Sequence, residues 1–419
     1  MTTSAAAAKP WYLRLHYQIF AAMAVGLVLG FGLGAPAVSA VGWMGALFLR
    51  ALRMVIVPLV LVALAGGVAS IGTGRELGRL GLKTIGYYAL SSFLAVLLGL
   101  AILNVVRPGA GVELALPPGE APKALRPGAI GEVILRLVED LVPPNPVRAM
   151  ADGNMLGIIG FSLLLGLAVA HLPERERRPA RRFLEVSLRV MTLLTGWVIR
   201  LAPLGVLGLI ATAAAEAGLE AFRALATYIL AVTAGLLVHL LVILPLLLRL
   251  LGGIRPGAHF RSTFEALVTA FSTSSSQATL PVTMRCTIEK AGVSTRIASF
   301  VLPMGATVNM DGTALYECAA ALFIAQILGY PLGFGEQLVI VITAFAASVG
   351  TAAVPSAGLV MIFVVLDAVG LRGPQVDALV GTLLAIDRPL DMLRTVVNVF
   401  SDTCGAAIVA RSEQGQFWV

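Results

Sequence analysis

Apolar stretches of roughly 20 residues, the length at which an α-helix crosses a hydrocarbon core, recur from Ile19 to the end of the chain. No other feature limits the fold so severely. In lipid, every backbone polar group must bond within the protein, which leaves helices or closed barrels. These stretches are rich in Leu, Ala and Val and lack the alternation of barrel strands, so an all-α polytopic membrane protein is expected. Only 13% of the 419 residues are charged and 58% are hydrophobic, which excludes a soluble domain. The formal charge of +7 does not point to nucleic acid, because Lys and Arg gather in short loops and form no continuous stripe. Cys286, Cys318 and Cys404 each lie in or beside an apolar segment and read as packing residues.

The first three spans are expected over residues 19–33, 43–69 and 82–106, with breaks at Gly34 and Pro36, at 72–81, and at Pro108. The start, with Trp11, Tyr12, Arg14 and His16, reads as an interfacial anchor and not as a cleaved signal. Arg75, Arg79 and Lys83 mark a cytoplasmic loop, and the Pro-rich stretch 108–127 would lie outside. A fourth span, 130–172, is interrupted at Pro143, Pro144 and Pro146. It ends in a loop carrying Arg175, Arg177, Arg178, Arg181 and Arg182, which reads as cytoplasmic. Spans five (183–215) and six (222–251) return the chain to Arg249, Arg255 and Arg261 on that same side.

After Arg261 the apolar stretches become too short to cross. They flank two clusters of small polar residues, 272–277 and 348–358, each reading as the tip of a re-entrant hairpin at membrane depth. One segment, 297–328, separates the hairpins, so they enter from opposite faces, as in inverted repeats around a midplane site.

The last span, 375–410, places Asp387, Asp391, Arg394, Thr395, Asn398 and Asp402 on one helical face. At about 1.5 Å rise per residue, that face covers roughly 22 Å. Each ionised group there costs about 2.5 to 3.5 kcal/mol unless paired or wet. One arginine against three aspartates leaves an excess of negative charge that invites cations; the alternative is a static ion-pair network. Between the hairpins, Asn309-Met310-Asp311-Gly312-Thr313 interrupts an apolar helix, with Gly305 and Thr307 before it and Glu317 after it. Asn and Gly are expected to unwind the helix and expose carbonyls, making with the carboxylate an oxygen cage for Na+. Glu317, a desolvated acid one turn on, is a candidate proton carrier or, alternatively, a hydrogen-bonded structural acid.

The serine-rich tip ending Thr279-Leu280-Pro281, the run 302–317, the tip from Gly350-Thr351 to Gly358 and the Asp391 to Asp402 helix together closely resemble the glutamate transporter family, the dicarboxylate/amino acid:cation symporters. The resemblance covers the whole chain and is strongest after Phe260. It implies a homotrimer in the lipid bilayer, eight transmembrane helices and two re-entrant hairpins. A static scaffold (1–81 and 130–215) would support a transport domain (82–129 and 216–419) that slides like an elevator. It further implies that Arg394 binds the substrate side-chain carboxylate and Asp391 its ammonium. Asn398, Thr313 and Ser276 would hold the α-carboxylate, with Ser275, Thr395, Val354 and Gly358 beside them.

For Na+, the resemblance assigns one site to Asp402 with carbonyls of Gly305 and Asn398. A second comprises Asp311, Asn309, Ser91, Ser92 and a Tyr88 carbonyl. A third comprises carbonyls around Thr307, Ser348, Val349 and Thr351. Glu317 matches the glutamate of members that also carry H+. The expected placement is a bacterial inner (plasma) membrane with both termini cytoplasmic.

The chain also departs from the family. Ser274 and Met392 stand where members carry an arginine, and Arg388 is the nearest replacement. Ala353, Ser356 and Ser401 replace frequent glycines. Arg50 and Arg53 are expected to snorkel or buttress the scaffold. Asp391 argues against a plain C4-dicarboxylate, which offers no ammonium, and Arg394 against a neutral amino acid, leaving aspartate or glutamate as first choice. A transporter and not an enzyme is expected. An intramembrane hydrolase is the remote alternative; it lacks a GxSxG elbow, and His16, His171, His239 and His259 lie away from the motifs in sequence.

Overall fold

Every regular element is helical in the computed structural model, which describes residues 15–69, 75–112, 135, 139, 141–152, 154–349 and 357–413. Among these residues, four helices are long and apolar enough to cross a membrane, or five if one bent pair counts as a single span. The structure thus supports an integral membrane protein built from helices, as the apolar runs require.

The first half comprises α1 (Leu15–Leu33), α2 (Ala35–Ala69), α3 (Arg75–Val106), α4 (Pro146–Asp152), α5 (Met155–His171), α6 (Glu174–Arg200) and α7 (Ala202–Val238). Gly34 alone separates α1 from α2, at φ +59°. That left-handed conformation ends a helix cheaply only at glycine. Pro36 does not extend the break, because the first turn of a helix has no intrahelical use for its N–H. The interruption expected around Pro143 to Pro146 is present, and α5 restarts with Asn154 Oδ1 accepting from Gly157 N at 3.1 Å.

Two expectations for this half are corrected. The arginines from Arg175 to Arg182 lie in the opening turns of α6 and not in a loop. Glu174 pairs with Arg177 and with Arg178 (3.0 Å), and Glu185 with Arg181 (3.6 Å), so local ion pairs at helical spacing favour helix there. The break expected between residues 215 and 222 is absent, since α7 runs unbroken through it. Ala, Glu and Leu dominate that stretch and hold a helix despite Gly218. The bend falls earlier, at Leu201, where α6 and α7 meet at 50°.

The second half comprises α8 (Leu244–Gly252), α9 (Pro256–Thr273), α10 (Ser276–Arg285), α11 (Thr295–Val308), α12 (Asp311–Ile327), α13 (Phe334–Val349), α14 (Ala357–Ala368) and α15 (Pro374–Ser412). Single π-helical turns, His239–Ile243 and Cys286–Lys290, lead into α8 and out of α10. The helices α9 and α10 form the first hairpin around Ser274, which sits at φ 50°, and α13 and α14 are the legs of the second. The tip of that second hairpin, with Thr351, Ala353, Val354 and Ser356, lies outside the described residues.

Helix α12 is the axis of this half. It is buried on all sides from Asp311 to Ala325 and packs against α3, α13, α14 and α15. Its Ala-rich middle lets neighbouring backbones approach closely, as membrane helix interfaces require. The helices α1 and α2 pack against α7, α5 and α6 pack against α2, and α7 also touches α15. The three cysteines are free and buried, as packing residues should be. Arg50 is exposed on α2, as a snorkelling side chain would be.

Candidate functional site

The helix that begins at Thr295 stops at Val308, and the chain turns through Asn309 (φ −95°, ψ 89°) and Met310 (φ −118°, ψ 55°) before α12 begins at Asp311. The expected interruption is therefore two residues long, and Gly312 is helical. Its N–H, one of the first-turn amides that lack an intrahelical acceptor, donates to Asn398 Oδ1 at 2.7 Å. The same Asn398 donates from Nδ2 to Thr313 Oγ1 at 3.3 Å. One amide of α15 thus caps α12 and lines up Thr313.

Asp311 is fully buried at the first position of α12. Ser91 and Ser92 of α3 donate to its Oδ1 at 3.2 and 2.6 Å. The Tyr88 carbonyl expected to face an ion lies 3.3 Å from Ser91 Oγ, and the Tyr88 hydroxyl donates to Val301 O at 2.9 Å. On its other oxygen, Oδ2, Asp311 meets His239 Nε2 at 3.1 Å. Asp402, on α15, accepts from Asn309 Nδ2 at 2.9 Å, and that Nδ2 also donates to Ser401 Oγ at 3.0 Å. Gly305 approaches so closely that a Cβ there would strike Asp402 Oδ1 and the Tyr88 hydroxyl. Only glycine lets the α11 backbone reach this carboxylate.

The placement of the histidines corrects the sequence reading. His239 contacts Asp311, and His259 Nε2 lies 3.0 Å from Thr403 Oγ1, beside Asp402. Neither pairing has a local signal, since the partners are 72 and 144 residues apart; the one available hint was a histidine inside an apolar span. Carboxylate, hydroxyl and amide oxygens are the donors a small hard cation takes. No three His, Cys, Asp or Glu side chains cluster in the manner of a transition-metal site among the described residues.

One helical turn along α15, Arg394 is 1% exposed. Its Nη2 donates to Asp387 Oδ1 at 2.6 Å and to Asp391 Oδ1 at 3.0 Å, and its guanidinium carbon lies 3.8 Å over the Tyr316 ring. Arg388 Nη1 donates to Asp391 Oδ2 at 3.2 Å. Two guanidiniums therefore face two carboxylates here. This corrects the expectation of one arginine against three aspartates: the unbalanced negative charge belongs to Asp311 and Asp402, and the Arg394 region is locally neutral. Arg394 Nε and Nη1 are buried without a hydrogen-bond partner among the described residues. A Cβ at Gly358 would lie 2.8 Å from that Nη1 and 3.0 Å from Thr313 Cγ2. Gly358 therefore packs closely against Nη1, an approach that a side chain at this position would block.

The remaining expected residues divide. Ser275 caps α10, its side chain accepting from Ala278 N at 3.2 Å, and Ser276 opens that helix, buried; α10 packs against α15. Thr395 donates to Asp391 O at 2.8 Å. Glu317 is fully buried on α12. Thr307 and Ser348 hydroxyls return to their own helices, to Met304 O and Phe345 O, and Val349 is half-buried at the end of α13. Thr307 lines a cavity of about 330 Å³ between α2, α6, α10 and α11. Asp387, Arg388, Tyr316 and His239 join the site although none was among the expected site residues.

The profile of the Sodium:dicarboxylate symporter family matches residues 15–412. The chain is similar to the proton/glutamate-aspartate symporter of Escherichia coli (strain K12), at 34% identity over 95% of this chain and 93% of that one. It is similar to excitatory amino acid transporter 1 of Ambystoma tigrinum at 33% identity, over 93% of this chain and 81% of the relative. Excitatory amino acid transporter 3 of Oryctolagus cuniculus is 35% identical, over 88% of this chain and 78% of its own length.

Proposed function

The chain belongs to the sodium:dicarboxylate symporter family, and from that premise we propose that it is a secondary active symporter that moves aspartate or glutamate across the membrane together with Na+. The observation that carries the reading is Arg394: a buried guanidinium, held on one nitrogen by Asp387 and Asp391, leaves Nε and Nη1 without a hydrogen-bond partner among the described residues, with Nη1 on the side of Gly358. A side-chain carboxylate would complete that fork, since paired N–H donors match two carboxylate oxygens. Asp391 would receive the ammonium. Thr313, oriented by Asn398, and the amides at the start of α10 behind Ser275 and Ser276 would receive the α-carboxylate.

Two cation sites are proposed around the carboxylates without guanidinium partners. One uses Asp311 with Asn309, Ser91, Ser92 and the Tyr88 carbonyl. The other uses Asp402 with the Gly305 and Asn398 carbonyls. A third, of backbone carbonyls around Thr307, Ser348, Val349 and Thr351, extends toward the second hairpin. Positive charge at these places offsets the cost of two buried carboxylates, so cation and anionic solute favour the same state.

Movement is proposed to follow an elevator, with 1–81 and 130–215 as scaffold and 82–129 and 216–419 as the sliding unit of a homotrimer. The continuity of α7 across residue 216 means that sliding must bend or open this helix, for which Gly218 offers the least resistance. The proposed setting is a bacterial inner membrane with cytoplasmic termini.

A second reading, in which a proton accompanies or replaces Na+, is favoured by the full burial of Glu317 on α12. It is also favoured by the proton named in the Escherichia coli relative. Uptake of labelled aspartate and glutamate into proteoliposomes, with Na+ and pH gradients imposed one at a time, tests both. Concentrative uptake driven by Na+ supports the first reading, uptake driven by pH alone supports the second, and gradient-independent equilibration overturns symport.

A further inference from the structure

Both oxygens of Asp391 are engaged by guanidiniums, Oδ1 by Arg394 at 3.0 Å and Oδ2 by Arg388 at 3.2 Å. The two arginines are held differently. Arg394 has Asp387 as a second carboxylate partner and the Tyr316 ring against it. Arg388 is 7% exposed, pairs with Asp391, and leaves Nε buried without a hydrogen-bond partner among the described residues. The side chain borders a cavity of about 20 Å³ whose walls include Ile19 of α1, Phe48 and Leu52 of α2, and Val206 of α7. That is room for about one water.

We infer that Arg388 is a specificity-determining residue that competes with the substrate's ammonium group for Asp391. This rests on the reading that Asp391 receives that ammonium. An ammonium arriving at Asp391 meets a carboxylate that already accepts from two guanidiniums, so it gains less there and is repelled by the guanidinium that stays closest. Arg394 has its second carboxylate and is needed for the substrate's own carboxylate. Arg388, whose carboxylate partner among the described residues is Asp391 alone, is the one that loosens; the cavity beside it has room for a water and not for a guanidinium. An amine-free dicarboxylate imposes no such displacement and gains from the extra positive charge. Arg388 therefore narrows the preference for amino acids over amine-free dicarboxylates, and its removal widens it.

The test is calorimetric binding of aspartate and of succinate to the purified full chain in saturating Na+, comparing the unaltered protein with R388Q and R388K. The ratio of aspartate to succinate affinity is expected to rise about tenfold or more in R388Q, the worth of a charged hydrogen bond. In R388K, which restores the charge, it should fall back toward the starting value. If R388Q does not fold, R388M, which keeps the apolar stem without the charge, takes its place and should show the same rise. Proportional weakening of both ligands, with the ratio unchanged, overturns the inference and makes Arg388 a structural buttress. Failure of the unaltered protein to bind aspartate, with or without Na+, overturns the acidic amino acid reading and the inference with it.

Discussion

His239 Nε2 lies 3.1 Å from Asp311 Oδ2, with both side chains fully buried and 72 residues apart in sequence. The serines of α3 hold the opposite oxygen, so in the proposed cation site the imidazole would set which edge of the carboxylate remains for the ion. Groups that orient a metal-binding carboxylate are commonly worth ten- to a hundredfold in metal affinity. H239A is expected to raise the Na+ concentration that half-stabilises the purified protein against heat by about tenfold, and H239Q, which keeps an N–H donor, by less. An unchanged Na+ midpoint in H239A would remove His239 from the cation site.

Arg394 is expected to decide substrate charge. R394C removes the free fork and leaves Asp387 and Asp391 buried without their shared cation, a loss of about 3–5 kcal/mol. Uptake of aspartate and glutamate should fall at least about a hundredfold, while uptake of serine or alanine is retained or appears. Unchanged aspartate affinity would refute the role given to Arg394.

Gly358 makes room for that fork. In G358A the new methyl group would sit 2.8 Å from Arg394 Nη1, so the guanidinium must shift by several tenths of an ångström. Misplacement on that scale is expected to raise the KM for aspartate about ten- to a hundredfold. Thermal stability should stay close to that of the unaltered protein. Normal kinetics in G358A would show that this face of Arg394 is not where substrate sits.

If Glu317 carries a proton, E317Q removes the pH dependence of uptake. Transport of aspartate measured from pH 5.5 to 8.5 should then become flat in E317Q. A pH profile that survives the substitution in a pH-sensitive parent would assign Glu317 a purely structural hydrogen bond.

At the far end of α15, Glu413 accepts from Lys83 at 2.6 Å and from Arg79 at 2.5 Å, tying the last helix to the first turns of α3. The Lys83 hydrogen bond, joined by Arg79, holds the Glu413 carboxyl below the usual range. Its contribution to stability is then present above about pH 4.3, the unfolded value, and is lost as pH falls through the lower folded value. E413Q should lower the midpoint of thermal unfolding at pH 7, by an effect of up to about 1 kcal/mol that salt weakens. The two proteins should converge as pH falls through that lower folded value. Equal midpoints at pH 7 and low salt would show that the pairs contribute nothing.

How far the sequence disclosed this site depended on whether the partners were local. The polar face of α15 was visible because residues three and four apart share a face, and the interruption before Asp311 because Asn and Asp break an apolar run. The same i, i+3 rule already placed Arg388 beside Asp391, so the charge balance around Arg394 was within reach. His239 was not, because its partner is set by the packing of α3, the π-helical turn and α12. The expected break after Ala215 failed for a different reason: local helix propensity in an Ala- and Glu-rich stretch outweighed a single glycine. The arginines before Phe183 read as a loop by charge alone, whereas their acidic neighbours at helical spacing make them helix.

Asn309 joins what would otherwise be two separate carboxylate environments. Its Nδ2 holds Asp402, while its Oδ1 lies 3.4 Å from the hydroxyl of Ser91, the serine that donates to Asp311. In the proposed cation sites, an ion at either acid would rotate or polarise this one side chain and so alter the geometry offered at the other. A single amide thereby makes the two acids one coupled unit, in which neither can be rearranged alone.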